Sequence, residues 1–149
     1  MNLATDKYGD VLVNFVPLIN GEAPGPVGFS VIVLKHNEKT VLVYNRYKKH
    51  WEVPGGHREK DETPLQCVLR EIKEETGQIP AAVHAAGIIG IQSTGKGKVV
   101  HGMLFSGTLQ TLLPFEENDE IAQICYWNGR DDIGYINEID RKLVELASD

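Results

Sequence analysis

The most informative stretch of this chain covers positions 56–78 and reads GHREKDETPLQCVLREIKEETGQ. It begins with the second glycine of a pair, Gly55-Gly56, and it carries far more acid than a core-facing helix normally does. Clustered carboxylates repel one another unless a cation joins them, and hard divalent cations prefer oxygen ligands. The stretch therefore predicts a site for a divalent metal ion. Its charged candidates are Glu62, Arg70, Glu71, Glu74 and Glu75.

A single helix is predicted over positions 63–76. Thr63 followed by Pro64 is typical of a helix start, because the first helical position needs no backbone N–H donor. Gly77 is typical of a helix end, where a left-handed backbone conformation is common. The apolar residues recur at the spacing of one helix face, and we expect that face to pack on the core. These residues are Leu65, Val68, Leu69 and Ile72.

The acids of this helix share one side. At about 100° per residue, Glu71, Glu74 and Glu75 fall within an arc of about 100°, next to the arc of the apolar residues. Arg70 stands one turn before Glu74, at a spacing suited to an ion pair. Glu62 lies just before the helix, where it can fold back toward Arg70. Glutamate-rich helix faces are also common on solvated surfaces, so the helix alone leaves both interpretations open.

The spacing of the whole stretch resembles the Nudix box, whose pattern is G-x5-E-x7-R-E-U-x-E-E-x-G-U, where U is a bulky apolar residue. The residues that stand at its fixed positions are Gly56, Glu62, Arg70, Glu71, Ile72, Glu74, Glu75 and Gly77. The last U position holds Gln78, with Ile79 one residue later. That position packs the end of the helix, so the departure concerns local packing and not the acids. The preceding WEVPGG at 51–56 is also similar to the family.

The resemblance implies a Nudix α/β/α sandwich with a central mixed β-sheet, as a single domain over residues 1–149. It also implies an enzyme that hydrolyses a nucleoside diphosphate linked to another group, with Mg²⁺ or Mn²⁺ as cofactor. A small chain suits a nucleoside triphosphate substrate, including an oxidised one. The alternatives are hydrolysis of ADP-ribose or another nucleoside diphosphate sugar, and nucleotide binding by a non-catalytic Nudix module.

The resemblance also assigns roles within the box. Glu71, Glu74 and Glu75 would hold the metal, and the backbone carbonyl of Gly55 would be a further ligand. The remaining charged residues of the box, Glu62 and Arg70, would orient these ligands.

Two residues outside the box are further candidates. Glu120 stands just before an apolar run, where several relatives place an outlying metal ligand, and the alternative is a solvated acidic loop. The general base differs among Nudix enzymes and would be Glu74 or this loop glutamate, so the catalytic candidates are Glu71, Glu74 and Glu120. Arg46 stands where the family often binds phosphate with an arginine, and the alternative is an ion pair at a strand edge.

Composition sets the remaining limits. With 149 residues, 42% of them hydrophobic, the chain suits one compact domain, and no apolar run reaches the length of a membrane span. The net charge of −6 argues against stable nucleic-acid binding, although a small nucleotide partner stays compatible because a bound metal inverts the local field. Two cysteines and an N-terminus without a secretory pattern favour the cytoplasm. Many Nudix relatives pair, so the resemblance is compatible with a homodimer.

Apolar and β-branched runs predict strands on both sides of the helix. The nearly continuous run at 29–35 predicts a central strand buried on both faces. Pro17 predicts an edge or a bulge in the first strand. The spacing at 136–147 predicts a closing helix, and 20–28 a loop. The predicted strands span 11–19, 29–35, 40–46, 51–53, 83–94, 98–109 and 121–127.

Overall fold

A computed structural model describes residues 2–18, 26–94 and 97–147 of the chain. Within these ranges the protein has nine β-strands and two α-helices. The strands are β1 (Ala4–Thr5), β2 (Val11–Pro17), β3 (Phe29–His36), β4 (Lys39–Asn45), β5 (His50–Glu52), β6 (Gly55–His57), β7 (Ala82–Gln92), β8 (Val99–Thr108) and β9 (Ile121–Trp127). The helices are α1 (Pro64–Thr76) and α2 (Glu138–Ala147).

The strands form one mixed sheet, as the sequence predicts. Their order is β1-β2-β7-β8-β3-β4-β5, with β6 added beside β3 and β9 added beside β4. The β3–β8 pair is parallel, and the other described pairs of strands are antiparallel. The run predicted as the central strand is β3, which pairs with β8, β4 and β6.

The two helices cover opposite faces of this sheet. Val68 and Ile72 of α1 pack in one apolar cluster with Ile32 of β3. Ile139 of α2 packs in a second cluster with Val33, the next residue of β3. Because consecutive residues of a strand point to opposite faces, the two clusters lie on opposite sides of the sheet. The predicted α/β/α sandwich is confirmed.

Helix α1 begins one residue after the predicted start, with Thr63 as its N-cap, and ends at the predicted Thr76. The Thr63 hydroxyl accepts a hydrogen bond from the Gln66 N–H at 3.1 Å, and the Gln66 side chain accepts one from the Thr63 N–H at 2.9 Å. This reciprocal pair satisfies two donors at the helix start. At the other end Gly77 has φ 70°, and its N–H donates to the Lys73 carbonyl at 3.0 Å. A left-handed conformation of this kind costs a glycine little, which explains the helix stop.

The predicted apolar face of α1 is wrong at Leu65 and Leu69, which are 45% and 40% exposed, whereas Val68 and Ile72 are fully buried. The buried side is rotated toward β6, and polar residues occupy part of it. Besides the two apolar residues, the buried residues of α1 are Cys67, Glu75 and Thr76. This rotation turns the acids of the helix toward the glycine pair.

Two short strands were not predicted, because two or three residues without apolar alternation carry no strand pattern. One is β1, which pairs with only the first two residues of β2. The end of β2 at Pro17 therefore has no β1 residue beside it, which agrees with the edge position predicted for this proline. The other is β6, which pairs with the start of β3 and fixes Gly55 and Gly56 against the sheet. The predicted loop at 20–28 lies mostly outside the described residues.

Helix α2 begins two residues later than predicted. Ile136 forms an isolated bridge to Trp51, and the Asn137 N–H donates to the Trp51 carbonyl at 3.0 Å. These contacts tie the start of α2 to β5. Among the described residues, neither helix has the length and apolar character that crossing a membrane requires.

Candidate functional site

Glu75 is a deeply buried acid, with 2% of its surface exposed. Its Oε1 atom accepts a hydrogen bond from the Gly55 N–H at 2.8 Å. Its Oε2 atom is buried and has no hydrogen-bond partner among the described residues. The pKa of Glu75 is raised to about 10, mainly by burial and additionally by the charges of Glu120 and Glu52. An ionised Glu75 therefore needs a cation beside Oε2.

Glu71 lies one turn earlier and packs against the glycine pair. A Cβ atom on Gly56 would lie 1.9 Å from Glu71 Oε2, so a side chain at this position would displace the Glu71 carboxylate. Burial raises the pKa of Glu71 to about 7, and the charges of Glu74 and Glu120 add to this effect. The second glycine of the pair thus makes the space in which this carboxylate lies beside β6.

Arg70 binds Glu62 as the sequence predicts, and it also contacts several neighbouring groups, among them the Glu59 and Glu71 carboxylates at 3.3 and 3.5 Å. Its Nε and Nη2 atoms donate to the two carboxylate oxygens of Glu62 at 2.7 and 3.0 Å. Nη1 donates to Glu74 at 3.2 Å, and Nη2 donates to the His57 carbonyl at 3.1 Å. The bidentate bond lowers the pKa of Glu62 to about 2. These contacts fix the segment before α1 against the acidic side of the helix.

The Asn118 side chain brings the acidic loop before β9 to the end of α1. Its Nδ2 atom donates to the carbonyls of Glu74 and Glu75 at 3.2 and 3.4 Å. Its Oδ1 atom accepts from the N–H groups of Glu120 and Ile121 at 3.1 and 2.9 Å. One amide thus links the helix end to the loop and sets Glu120 beside Glu75.

Arg46, the candidate phosphate ligand, borders the same loop. Its N–H donates to the Glu120 carbonyl at 2.7 Å, and its Nη2 atom donates to the Glu117 carboxylate at 3.0 Å and the Asn118 carbonyl at 3.1 Å. The ion pair that the sequence offered as the alternative is therefore present. The guanidinium is also partly exposed beside the acids, at 42% of its side chain.

Glu52 on β5 joins the site, although the sequence analysis did not single it out. One carboxylate oxygen from each of Glu52, Glu75 and Glu120 lies within 4.8 Å of the other two. His50 Nε2 donates to Glu52 Oε1 at 2.7 Å, and Asn45 Nδ2 lies 3.5 and 3.4 Å from the two Glu52 oxygens. The sequence does carry one indication of this role: Glu52 is a charged residue between two apolar residues, Trp51 and Val53, which are both buried.

These three acids, Glu52, Glu75 and Glu120, form an acid cluster that fits a hard divalent cation. Oxygens bound to one such cation lie no more than about 4–5 Å apart, and the three carboxylates meet this limit, with oxygens within 4.8 Å of one another. Glu75 also has an unpartnered oxygen, Oε2, that is free to bind a ligand. The structure thus brings together Glu75 of the box, Glu120 of the loop and Glu52, whereas Glu74 is 58% exposed on its side chain and turned to Arg70.

Gln78, the departure from the box pattern, is buried and fully engaged. Its Nε2 atom donates to the carbonyls of Thr76 and Leu113 at 3.1 and 2.8 Å, and its Oε1 atom accepts from the Leu113 N–H at 2.9 Å. Ile79 is 71% exposed and does not replace it. A polar side chain here ties the end of α1 to the segment that leads to Glu120.

A cavity of about 310 Å³ lies beyond the glycine pair, on the side of α2. Its acidic lining includes Asp6, Asp10 and Asp140, together with Glu52 from the acid cluster. Asp140 Oδ1 accepts from the Val53 N–H at 3.1 Å. Burial raises the pKa of Asp140 well above its usual range, and the charge of Glu52 raises it further. This lining offers hydrogen-bond acceptors, and it also includes the amine of Lys48.

Solved structures of other proteins share this fold. The Bacillus subtilis pyrophosphohydrolase BsRppH superposes with a TM-score of 0.73 at 18% identity, over 92% of this chain and 86% of that one. The NUDIX domain of Shewanella oneidensis NrtR, solved with ADP ribose, superposes with a TM-score of 0.68 at 17% identity, over 87% of this chain and 91% of that one. At these identities the likeness establishes the fold alone.

Sequence relatives match over part of the chain. A candidate 8-oxo-dGTP diphosphatase of Mycobacterium tuberculosis is 32% identical over 78 residues, which are 48% of this chain and 34% of that protein. An RNA pyrophosphohydrolase of Xanthomonas campestris is 37% identical over 57 residues, 38% of this chain and 28% of that protein. The chain thus spans about a third of the length of these relatives. The sequence model of the NUDIX domain matches residues 25–147, most of the chain, and the chain therefore belongs to the Nudix family.

Proposed function

We propose that this protein is a metal-dependent pyrophosphohydrolase that cleaves a nucleoside diphosphate linked to another group. A nucleoside triphosphate, including an oxidised one, is the preferred substrate class. The observation that carries the proposal is the buried Glu75 carboxylate, which has an unpartnered Oε2 atom and lies beside the Glu52 and Glu120 carboxylates. Such an arrangement of acids is stable as a charged group only around a cation, and Mg²⁺ or Mn²⁺ matches its oxygen ligands.

The residues divide the work between binding and orientation. Glu71, Glu75 and Glu120 would hold the metal, with the Gly55 carbonyl as a further ligand. Arg70 and Glu62 would fix the helix acids through their bidentate bond. When bound, a divalent cation neutralises charge on phosphate oxygens and lowers the pKa of a water ligand.

The proton of the attacking water needs a base beside the metal ligands. Glu74 and Glu120 are the candidates, because both side chains are exposed enough to reach a water. Arg46 lies beside the loop of Glu120, where its guanidinium can bind a phosphate of the substrate. The water oxygen would attack one phosphorus and the bridging P–O bond of the diphosphate would break. A nucleoside triphosphate would then give a nucleoside monophosphate and pyrophosphate.

The cavity on the side of α2 supports a nucleoside substrate. Its carboxyl groups accept hydrogen bonds from N–H and O–H groups, which a base and a ribose supply. Phe29 and Leu143 add apolar surface to the same cavity. A substrate would therefore place its phosphates at the acid cluster and its nucleoside in the cavity.

A first test replaces Glu74 by Gln. If Glu74 is the base, the variant should lose at least about a hundredfold in kcat while its thermal unfolding stays unchanged, because a general base contributes that much and the side chain is exposed. Release of phosphate from a nucleotide panel with Mg²⁺ or Mn²⁺ measures the effect, with inorganic pyrophosphatase added to convert any pyrophosphate to phosphate. Glu145→Gln, an exposed change on α2, is the matched control. Unchanged turnover would assign the base to Glu120 instead.

The same panel separates the enzyme from a non-catalytic module. An enzyme releases phosphate or a monophosphate from at least one nucleotide when metal is added. In a binding module, an added nucleotide raises the melting temperature of the protein but is not converted to a product. ADP-ribose belongs in the panel, because the structurally similar Shewanella domain was solved with it.

A further inference from the structure

We propose that Glu52 of β5 is a further metal ligand of the acid cluster, held in place by His50 and Asn45. The inference rests on the proposed function, since it concerns the same cation. It adds a ligand that lies outside both the box and the loop before β9.

The first argument is the position of the Glu52 carboxylate. One of its oxygens is within 4.8 Å of an oxygen from Glu75 and of another from Glu120. These acids come from a strand, a helix and a loop, so the fold gathers them from three separate segments. Only 15% of the Glu52 side chain is exposed, so solvent does little to screen the repulsion between its charge and those of the other two carboxylates.

The second argument is that one oxygen of Glu75 lacks a partner. Glu75 is 2% exposed, and its Oε2 atom is one of two unpartnered buried side-chain polar atoms among the described residues. A buried oxygen without a donor is costly unless a ligand completes it. The Glu75 carboxylate lies beside those of Glu52 and Glu120, and one divalent cation would satisfy all three.

The third argument is the way the protein orients Glu52. A carboxylate only accepts hydrogen bonds, so the 2.7 Å contact assigns the proton of the buried His50 ring to Nε2. Asn45 Nδ2 approaches both carboxylate oxygens from the neighbouring strand β4. These donors restrict the rotamer of Glu52 and leave lone pairs for a cation, as partners of metal ligands commonly do.

The direct test is Mn²⁺ binding without any nucleotide. We expect the Kd for Mn²⁺, measured by electron paramagnetic resonance titration, to rise at least tenfold in Glu52→Gln. The matched control Glu145→Gln, with a carboxylate 67% exposed on α2, should bind Mn²⁺ like the wild type. A Kd for Glu52→Gln within twofold of the wild type overturns the inference but leaves the proposed function standing. Absence of Mn²⁺ binding by the wild type overturns both.

A second measurement needs no variant and decides the matter if Glu52→Gln does not fold. Crystals of the wild-type protein soaked in Mn²⁺ give an anomalous peak at each bound ion. We expect a peak at ligand distance from Glu52, Glu75 and Glu120. A peak bound by Glu75 and Glu120, with Glu52 beyond ligand distance and bonded only to His50 and Asn45, shows that Glu52 has a structural role alone.

Discussion

Glu75 combines two features that seldom occur in one buried side chain: an oxygen without a partner and two other carboxylates nearby. The single bond from the Gly55 N–H does not offset the loss of water. The metal-free protein therefore bears an electrostatic cost at this residue, and a bound cation removes it. Binding and folding are linked at this position.

The linkage predicts a pH dependence for the metal-free protein. The pKa of Glu75 is about 10 in the folded protein, against 4.5 for an ordinary glutamate. Folding thus favours the protonated form, and this stabilisation is full below about pH 4.5 and is lost as the pH rises toward 10. Glu75→Gln cannot ionise, so it should be more stable than the wild type by about 3 kcal/mol at pH 7.

Urea unfolding in EDTA between pH 5 and pH 9 measures this difference. The gap in unfolding free energy between the variant and the wild type should widen as the pH rises. In a separate experiment without EDTA, Mn²⁺ should stabilise the wild type but not Glu75→Gln. Glu71, whose pKa is about 7, titrates in both proteins and cancels in the comparison. A wild type whose stability runs parallel to that of the variant over this range would contradict the assignment.

Among the elements, helix α1 and the loop before β9 depend on each other. Asn118 links the loop to the carbonyls at the end of the helix, and Gln78 bonds to both backbone groups of Leu113. The loop has no strand pairing of its own before β9 begins. The place of Glu120 therefore depends on these two amide side chains.

This dependence predicts the effect of Gln78→Leu. Leucine fills a similar volume but leaves the N–H and carbonyl of Leu113 without their partner, which should cost about 1–3 kcal/mol of unfolding free energy. Binding of Mn²⁺ should weaken as well, because Glu120 loses its fixed position. Ile79→Ser, a change at an exposed neighbour, is the control for urea unfolding and Mn²⁺ titration. Equal stability of Gln78→Leu and the control would remove the anchoring role.

Sequence alone predicted the elements with strong local signals. The caps at Thr63 and Gly77 located α1, and the β-branched run located β3. The exposure of Leu65 and Leu69 was not predictable, because the rotation of α1 depends on its contacts with β6. The box pattern marks position 78 as apolar, so the polar anchor at Gln78 became visible only with its partner, Leu113.

Over the whole molecule, the sandwich separates two environments around the glycine pair. Helix α1 brings Glu71 and Glu75 to one side of Gly55 and Gly56. The cavity toward α2 lies on the other side and has its own carboxylates. Glu52 belongs to both, and sequence could not place it, because its neighbours come from β4, α1 and the loop before β9. The fold thus lets one substrate contact metal ligands and a separate acceptor surface.

This separation predicts that Asp140→Asn changes substrate binding without changing metal binding. Asparagine keeps the acceptor for the Val53 N–H but replaces the other carboxyl oxygen by an amide NH2 group, which cannot accept a hydrogen bond from the substrate. Because a buried donor left without an acceptor costs about 1–3 kcal/mol, KM for the best nucleotide should rise about fivefold or more. The Kd for Mn²⁺ should stay within threefold of the wild type.

Steady-state kinetics and Mn²⁺ titration of the same preparations separate the two effects, with Glu145→Gln as the control on the same helix. A fall in kcat at unchanged KM would mean that Asp140 contributes to the reaction at the acid cluster and not to substrate binding. An unchanged KM together with an unchanged kcat would mean that the nucleoside does not lie in this cavity. The proposed division between phosphate and nucleoside sites would then be wrong, even if the acid cluster holds its metal.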